Sequence, residues 1–145
     1  MISFMSFDMD ENLVKVLLDT NILVSAIVFG GKPEQILHLI LEEEFLAITS
    51  PVLLAELKEV LNKKFPPRET DFKLTIKNIE EIFKTIQPKK TINILNDNDD
   101  NRVLEAAIEG NCKYIVTGDK ELLSLKSYQG VKIVTAGEFL KLAKF

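Results

Sequence analysis

Along this chain, short unbroken apolar runs alternate with longer stretches whose apolar positions recur every three or four residues. A short run of that kind reads as a strand buried on both faces, and the longer spacing reads as an amphipathic helix. Strands are therefore expected at residues 14–18, 45–49, 91–95, 114–117 and 131–135, with helices between them. The first helix, residues 20–28, stops at Gly30-Gly31, and the next starts at Lys32-Pro33 with Ile36, Leu37, Ile40 and Leu41 as its stripe. Ser50-Pro51 reads as an N-cap followed by a proline in the first turn. It opens a helix with Leu53, Leu57, Val60 and Leu61 on one face, which Phe65-Pro66-Pro67 ends. Residues 71–86 carry the clearest helical period, Phe72, Ile76, Ile79, Phe83 and Ile86. The polar loop from Asn96 to Asn101 enters a helix with Val103, Leu104, Ala107 and Ile108 apolar, and Gly110 stands near its expected C-cap. A short helix after Gly118-Asp119 reaches Leu125, and residues 138–144 form a closing one. Strand followed by helix throughout predicts a three-layer α/β/α fold on a central parallel sheet of about five strands.

Length and composition leave that picture intact. The 145 residues fit one domain, and no repeat, linker or low-complexity stretch divides residues 13–145. Residues 1–12 mix Phe4, Met5 and Phe7 with Asp8, Asp10 and Glu11 and lack the basic start of a signal peptide. They read as a peripheral extension whose composition allows disorder. Hydrophobic residues make up 46% of the chain and charged residues 28%, which excludes a wholly disordered protein. No apolar stretch approaches the roughly 20 residues of a membrane helix. The single cysteine, Cys112, excludes an intrachain disulfide and a CxxC metal site, so a cytoplasmic location is the default. A net charge of −4 argues against general adhesion to a phosphate backbone. It leaves a nucleic-acid substrate open, because a bound cation would neutralise clustered acids locally.

Candidate chemistry begins at Lys15-Val16-Leu17-Leu18-Asp19-Thr20-Asn21, where an apolar run ends abruptly in an acid. Open α/β sheets bind ligands beyond the carboxyl ends of their strands, so Asp19 is expected at the mouth of a site. Asp119 follows the expected strand at 114–117, and Asp100 opens the helix after 91–95. Glu56 lies inside a helix in line with Val52 and Val60, bordering the buried face. Each acid also has a structural reading. Asp19 and Asp119 can cap the helices that follow them, worth about 1 kcal/mol each. Asp100 can be the third helical residue of a capping arrangement begun by Asp97, and Glu56 a surface acid. Taken singly, none of them identifies a function.

Taken together, they form a recognisable set. Leu17-Leu18-Asp19-Thr20-Asn21, Glu56, Asp97-Asn98-Asp99-Asp100-Asn101 with Leu104, Ala106 and Ala107 behind it, and Ile115-Val116-Thr117-Gly118-Asp119-Lys120 with Leu122-Leu123 resemble the PIN-domain nucleases, over residues 15–138. That resemblance implies an α/β/α fold whose acids bind Mg²⁺ or Mn²⁺ to hydrolyse phosphodiester bonds in RNA. By it Asp19, Glu56, Asp100 and Asp119 are the metal-site acids, with Asn21 and Thr117 as helpers that hold a carboxylate or a water. Asp99 competes with Asp100 for the third position, where the offset to Ile115-Val116-Thr117 favours Asp100, and Asp97 is a weaker contributor. The branch most similar to this sequence is the prokaryotic one related to VapC-type toxins. That implies an RNA substrate, an antitoxin protein as partner, a homodimer, a cytoplasmic setting and no membrane.

The residue chemistry stands beside the resemblance. Mg²⁺ takes oxygen ligands at about 2.0–2.1 Å and keeps several waters, so a few carboxylates that do not fill its shell suit it. One histidine and one cysteine make a zinc site of nitrogen and sulfur ligands improbable. A bound ion would acidify a water and stabilise charge on the phosphate. The alternative is a PIN-like module that docks RNA or protein without turnover. A phosphotransfer domain of the haloacid-dehalogenase type fits less well, since Asn21 stands where its second acid would be. His38 reads as a structural or surface residue and Cys112 as a small buried one. Arg102 and Lys120 adjoin expected ligands and read equally as phosphate contacts or surface ion pairs, whereas Lys63-Lys64 and Lys89-Lys90 read as solvated surface.

Overall fold

Strand β1 (Lys15–Leu18) carries Val16, Leu17 and Leu18, and burial of all three requires protein on both sides of it. The rest of the fold supplies those two sides. A computed structural model describes residues 12–65 and 72–143; the expected extension up to residue 11, Pro66, Pro67 and residue 144 lie outside them. The elements run β1, α1 (Thr20–Val28), α2 (Gly31–Leu41), β2 (Leu46–Thr49), α3 (Pro51–Lys64), α4 (Phe72–Ile82), β3 (Lys84–Thr85), α5 (Asn98–Glu109), β4 (Tyr114–Val116), α6 (Lys120–Leu125), β5 (Ser127–Tyr128), β6 (Val131–Val134) and α7 (Ala136–Leu142). The six strands lie in the order β3-β2-β1-β4-β6-β5. All neighbours pair parallel except β5, which turns back against β6 as an antiparallel edge.

Alternation along the strands divides the core. Val16, Leu18, Ala47, Val116 and Val134 face α1, α2, α3, α4 and α7, where Ile36, Leu57, Leu61 and Phe139 are among the deepest residues. Leu17, Leu46, Ile48, Ile115 and Ile133 face the other way, onto Val103, Leu104, Ala106 and Ala107 of α5 and Leu122 of α6. Burying each Leu or Ile removes about 1.5–3 kcal/mol worth of apolar surface from water, so the three layers hold one another together. Gly110 lets α5 lie close on the sheet, because a Cβ there would stand 2.6 Å from Ile48 Cγ2. Its φ is −83°, and Asn111 takes the left-handed turn after the helix at φ 54°. Among the described residues no helix is long and apolar enough to cross a membrane.

Two expectations need correction. The helix expected over 71–86 ends at Ile82, and its last residues turn to form β3 on the sheet edge. Residues 91–95 are not a strand. They lie along α5, and side chains take backbone groups between Lys89 and Leu95 that a neighbouring strand would otherwise pair. Glu109 accepts the N–H of Lys89 at 3.1 Å and Glu105 that of Ile92 at 2.8 Å, while Arg102 donates to the Ile92 carbonyl at 3.0 Å. Ile92 and Leu95 still pack on the core, which explains the strand-like pattern.

Candidate active site

The chain leaves β1, passes to β2 and β3 on one side, and returns to β4 on the other side of β1, so the crossover reverses between β1 and β4. Ligand clefts of open sheets form at such a reversal. Leu18, Val116 and Val134 lie in register across β1, β4 and β6, which sets Asp19 and Thr117 side by side at the strand ends. A cleft of about 100 Å³ opens there, lined by Asp19, Thr20, Asn21, Glu56, Asp97, Asp99, Asp100, Val103 and Asp119. The structure thus brings all four expected acids together, with Asn21 at the rim. It adds Asp97 and Asp99 to them.

Asp19 and Asp119 do cap helices. Asp19 Oδ1 accepts the Ile22 N–H at 2.9 Å, and Asp119 Oδ1 accepts that of Leu122 at 3.0 Å. Capping uses one oxygen of each and leaves the second for other work. For Asp19 the second oxygen accepts the Thr117 hydroxyl. The same hydroxyl accepts the Asp119 N–H at 3.0 Å, so one threonine joins both strand-end acids. Thr20, which sequence reasoning passed over, donates to Glu56 Oε1 at 2.5 Å and fixes the helix acid toward the cleft. A hydroxyl directly after a strand-end acid was the available signal.

Asp99 and Asp100 both line the cleft. They are consecutive in the first turn of α5, after the N-cap Asp97, whose side chain accepts the Asp99 N–H. The Asp99 charge acts on Glu56 and the Asp119 charge on Asp100. Asp100 stands third in α5 after the N-cap Asp97, where the capping reading put it. It is only 8% exposed, and its Oδ2 has no hydrogen-bond partner among the described residues.

The electrostatics follow from crowding. Burial pushes the Asp100 carboxyl up to about 7, with the charges of Asp119, Asp97 and Glu121 adding to it. Burial also raises Asp19, partly offset by the Thr117 and Ile22 hydrogen bonds, and it raises Glu56, aided by Asp99. Such a set attracts a cation, and its donors are all oxygen, which suits a hard divalent ion. The orphaned Asp100 oxygen is the position that most needs one. Among the described residues no group of three acids is already placed to hold a metal ion directly.

The remaining candidates lie elsewhere. Arg102 pairs with Glu105 at 2.8 Å and turns to the extended segment, and Lys63 pairs with Glu59. His38 and Lys120 are exposed, and Cys112 is buried with its thiol pushed up to about 12 by desolvation.

Residues 15–121 match the family model described as PIN domain. The uncharacterized protein MJ1680 of Methanocaldococcus jannaschii is 33% identical over 123 residues, covering 81% of this chain and 79% of that one. VapBC2 from Rickettsia felis, solved bound to a DNA fragment from its promoter, superposes with a TM-score of 0.57 at 19% identity, over 83% of this chain and 97% of that one. PAE2754 from Pyrobaculum aerophilum gives 0.57 at 18% identity, over 90% of each chain. The PIN domain endonuclease Utp24 gives 0.53 at 16% identity over 82% of each. At these identities the structural likenesses establish the fold.

Proposed function

Since the chain belongs to the PIN-domain family, we propose that it is a metal-dependent endoribonuclease. The observation that carries this reading is the convergence of acids from separate segments on one cleft, with a buried, unpartnered oxygen on Asp100. Asp19, Glu56, Asp100 and Asp119 would hold Mg²⁺ or Mn²⁺, with Asp99 beside Glu56. A divalent ion held there would neutralise the carboxylates, polarise the scissile phosphate and activate a water for attack. The protein's own part is positioning. Thr117 holds Asp19 against the Asp119 turn, Thr20 aims Glu56, and the caps on α1 and α6 fix the strand-end acids. Asn21, exposed at the mouth, offers an amide to a substrate phosphate or a water.

The test is cleavage of single-stranded RNA with Mn²⁺ or Mg²⁺. Asp19→Asn and Asp119→Asn should abolish it, and variants as fast as wild type would overturn the assignment. A purified wild-type chain that binds RNA without metal-dependent cleavage would favour the silent binding module instead.

We also propose that the chain acts in the cytoplasm as the toxin of a toxin–antitoxin pair. The likeness to VapBC2 supports this, as does an exposed phenylalanine packed against a half-buried one. Phe29 at the end of α1 is 73% exposed and meets Phe65 edge-on at 5.8 Å, a surface suited to an apolar partner segment or a second copy. Co-purification with the product of a small adjacent gene would support the antitoxin, and sedimentation of the isolated chain would test the homodimer.

A further inference from the structure

The loop that delivers Asp97, Asp99 and Asp100 has no strand beside it, so its position depends on the side chains that grip its backbone. Asn101, fully buried, accepts the Leu95 N–H at 2.9 Å and donates to the Leu95 carbonyl at 2.8 Å. The next residue, Asn96, donates its N–H to Glu121 Oε1 at 2.8 Å, across 25 residues of sequence. Glu121 sits in the first turn of α6, two residues after Asp119. One carboxylate thus ties the helix that begins at Asp119 to the loop that leads to Asp100. Glu121 does not line the cleft, although its charge is felt at Asp100.

We propose that Glu121 is a positioning residue that sets the spacing of Asp100 and Asp119 by accepting the Asn96 N–H, acting as a hydrogen-bond acceptor and not as a metal ligand. The proposal rests on the metal-site reading above. Two other roles are available to an acid at this place: a further ligand, or a charge that complements the start of α6. Both of those need the negative charge. The latch needs only an oxygen within reach, because a neutral amide carbonyl also accepts an N–H.

Glu121→Gln and Glu121→Ala separate these roles in the full-length chain. The measurements are kcat and KM for single-stranded RNA, the Mn²⁺ dependence of melting, and hydrogen exchange of the Asn96 amide in EDTA. With Glu121→Gln, all three should stay within about threefold of wild type. With Glu121→Ala, Mn²⁺ affinity and kcat should fall about tenfold, as for groups that orient metal ligands. KM should hold and the Asn96 amide should exchange faster. A Gln variant as impaired as Ala would show that the charge matters and overturn the latch, as would an Ala variant indistinguishable from wild type. If Ala fails to fold, the Gln variant still tests the latch, since its impairment would overturn it. If wild type itself neither cleaves RNA nor responds to Mn²⁺, the metal-site reading has failed, and this proposal falls with it.

Discussion

The two halves of the cleft are built by different means. On one side Asp19 and Asp119 follow paired strands, each caps the helix behind it, and Thr117 joins them through a single hydroxyl. On the other side Asp97, Asp99 and Asp100 stand at the start of α5, after a strandless segment that Glu109, Glu105, Arg102, Asn101 and Glu121 hold by its backbone. Sheet register fixes the first half over short distances. The second half depends on individual long-range side-chain bonds, each of which can be removed alone. The strand-end half is therefore the rigid reference, and the loop half is where an ion, a substitution or a change of pH should register most.

The largest effect should come from the reference half. Asp19→Asn or Asp119→Asn removes a charge but keeps an oxygen for the cap, and Asn caps about as well as Asp. RNA cleavage should fall by more than about 100-fold, equivalent to roughly 3 kcal/mol of barrier. Metal-free melting should hold or rise. A large loss of folding in these variants would mean that the carboxylates hold the fold together by more than their caps. Thr117→Val comes next. It takes the donor from Asp19 and the acceptor from Asp119 at once, and a loss of about 10–100-fold in Mn²⁺ affinity is expected. Thr117→Ser should restore most of it, since the hydroxyl alone makes both bonds.

The same division explains what could be read from the sequence. Asp19 and Asp119 were legible because strand, acid and helix are contiguous, and a cap is a local pattern. The layers were legible for a similar reason: runs such as Val16-Leu17-Leu18 are buried on both faces wherever the strand sits. Glu56 was legible only as part of the acid set, and Thr20, its donor, was not. The segment at 91–95 misled because Ile92 and Leu95 bury apolar surface as a strand would. Nothing in that stretch says whether the Ile92 N–H will meet a neighbouring strand or Glu105, since that acid lies 13 residues further on. The edge strands β3 and β5, two residues each, carry too little pattern to be seen.

A divalent ion should act mainly on the loop half. Binding to the folded chain alone stabilises it by about 2.7 kcal/mol at 100 times the dissociation constant, so melting should rise with Mn²⁺ well beyond the effect of NaCl at equal ionic strength. Asp100→Asn should remove most of that rise and raise the metal-free melting temperature, because it relieves a buried charge. An unchanged Mn²⁺ response would show that Asp100 is not a principal ligand.

The smallest expected effect is a dependence of metal-free stability on pH, and its sign is set by the loop half. Burial first, and the neighbouring acids second, raise the Asp100 carboxyl from the ordinary aspartate value of 3.8 to about 7 in the folded chain. Between those values the folded chain binds more protons than the unfolded one, so stability falls as pH rises. The favourable contribution is complete below the lower value and gone above the upper one. Asp19 and Glu56 are raised as well and push in the same direction, whereas Glu138, lowered by its Thr135 capping bonds, acts in the opposite sense at lower pH. In EDTA the melting temperature should therefore drop by a few degrees between pH 5 and pH 8, a modest change because solvent at the mouth of the cleft screens the acids. Asp100→Asn should flatten most of this slope, while Glu138→Gln should leave it in place. A slope that survives Asp100→Asn would move its source to Asp19 or Glu56, and the rigid half would then share the electrostatic strain assigned here to the loop.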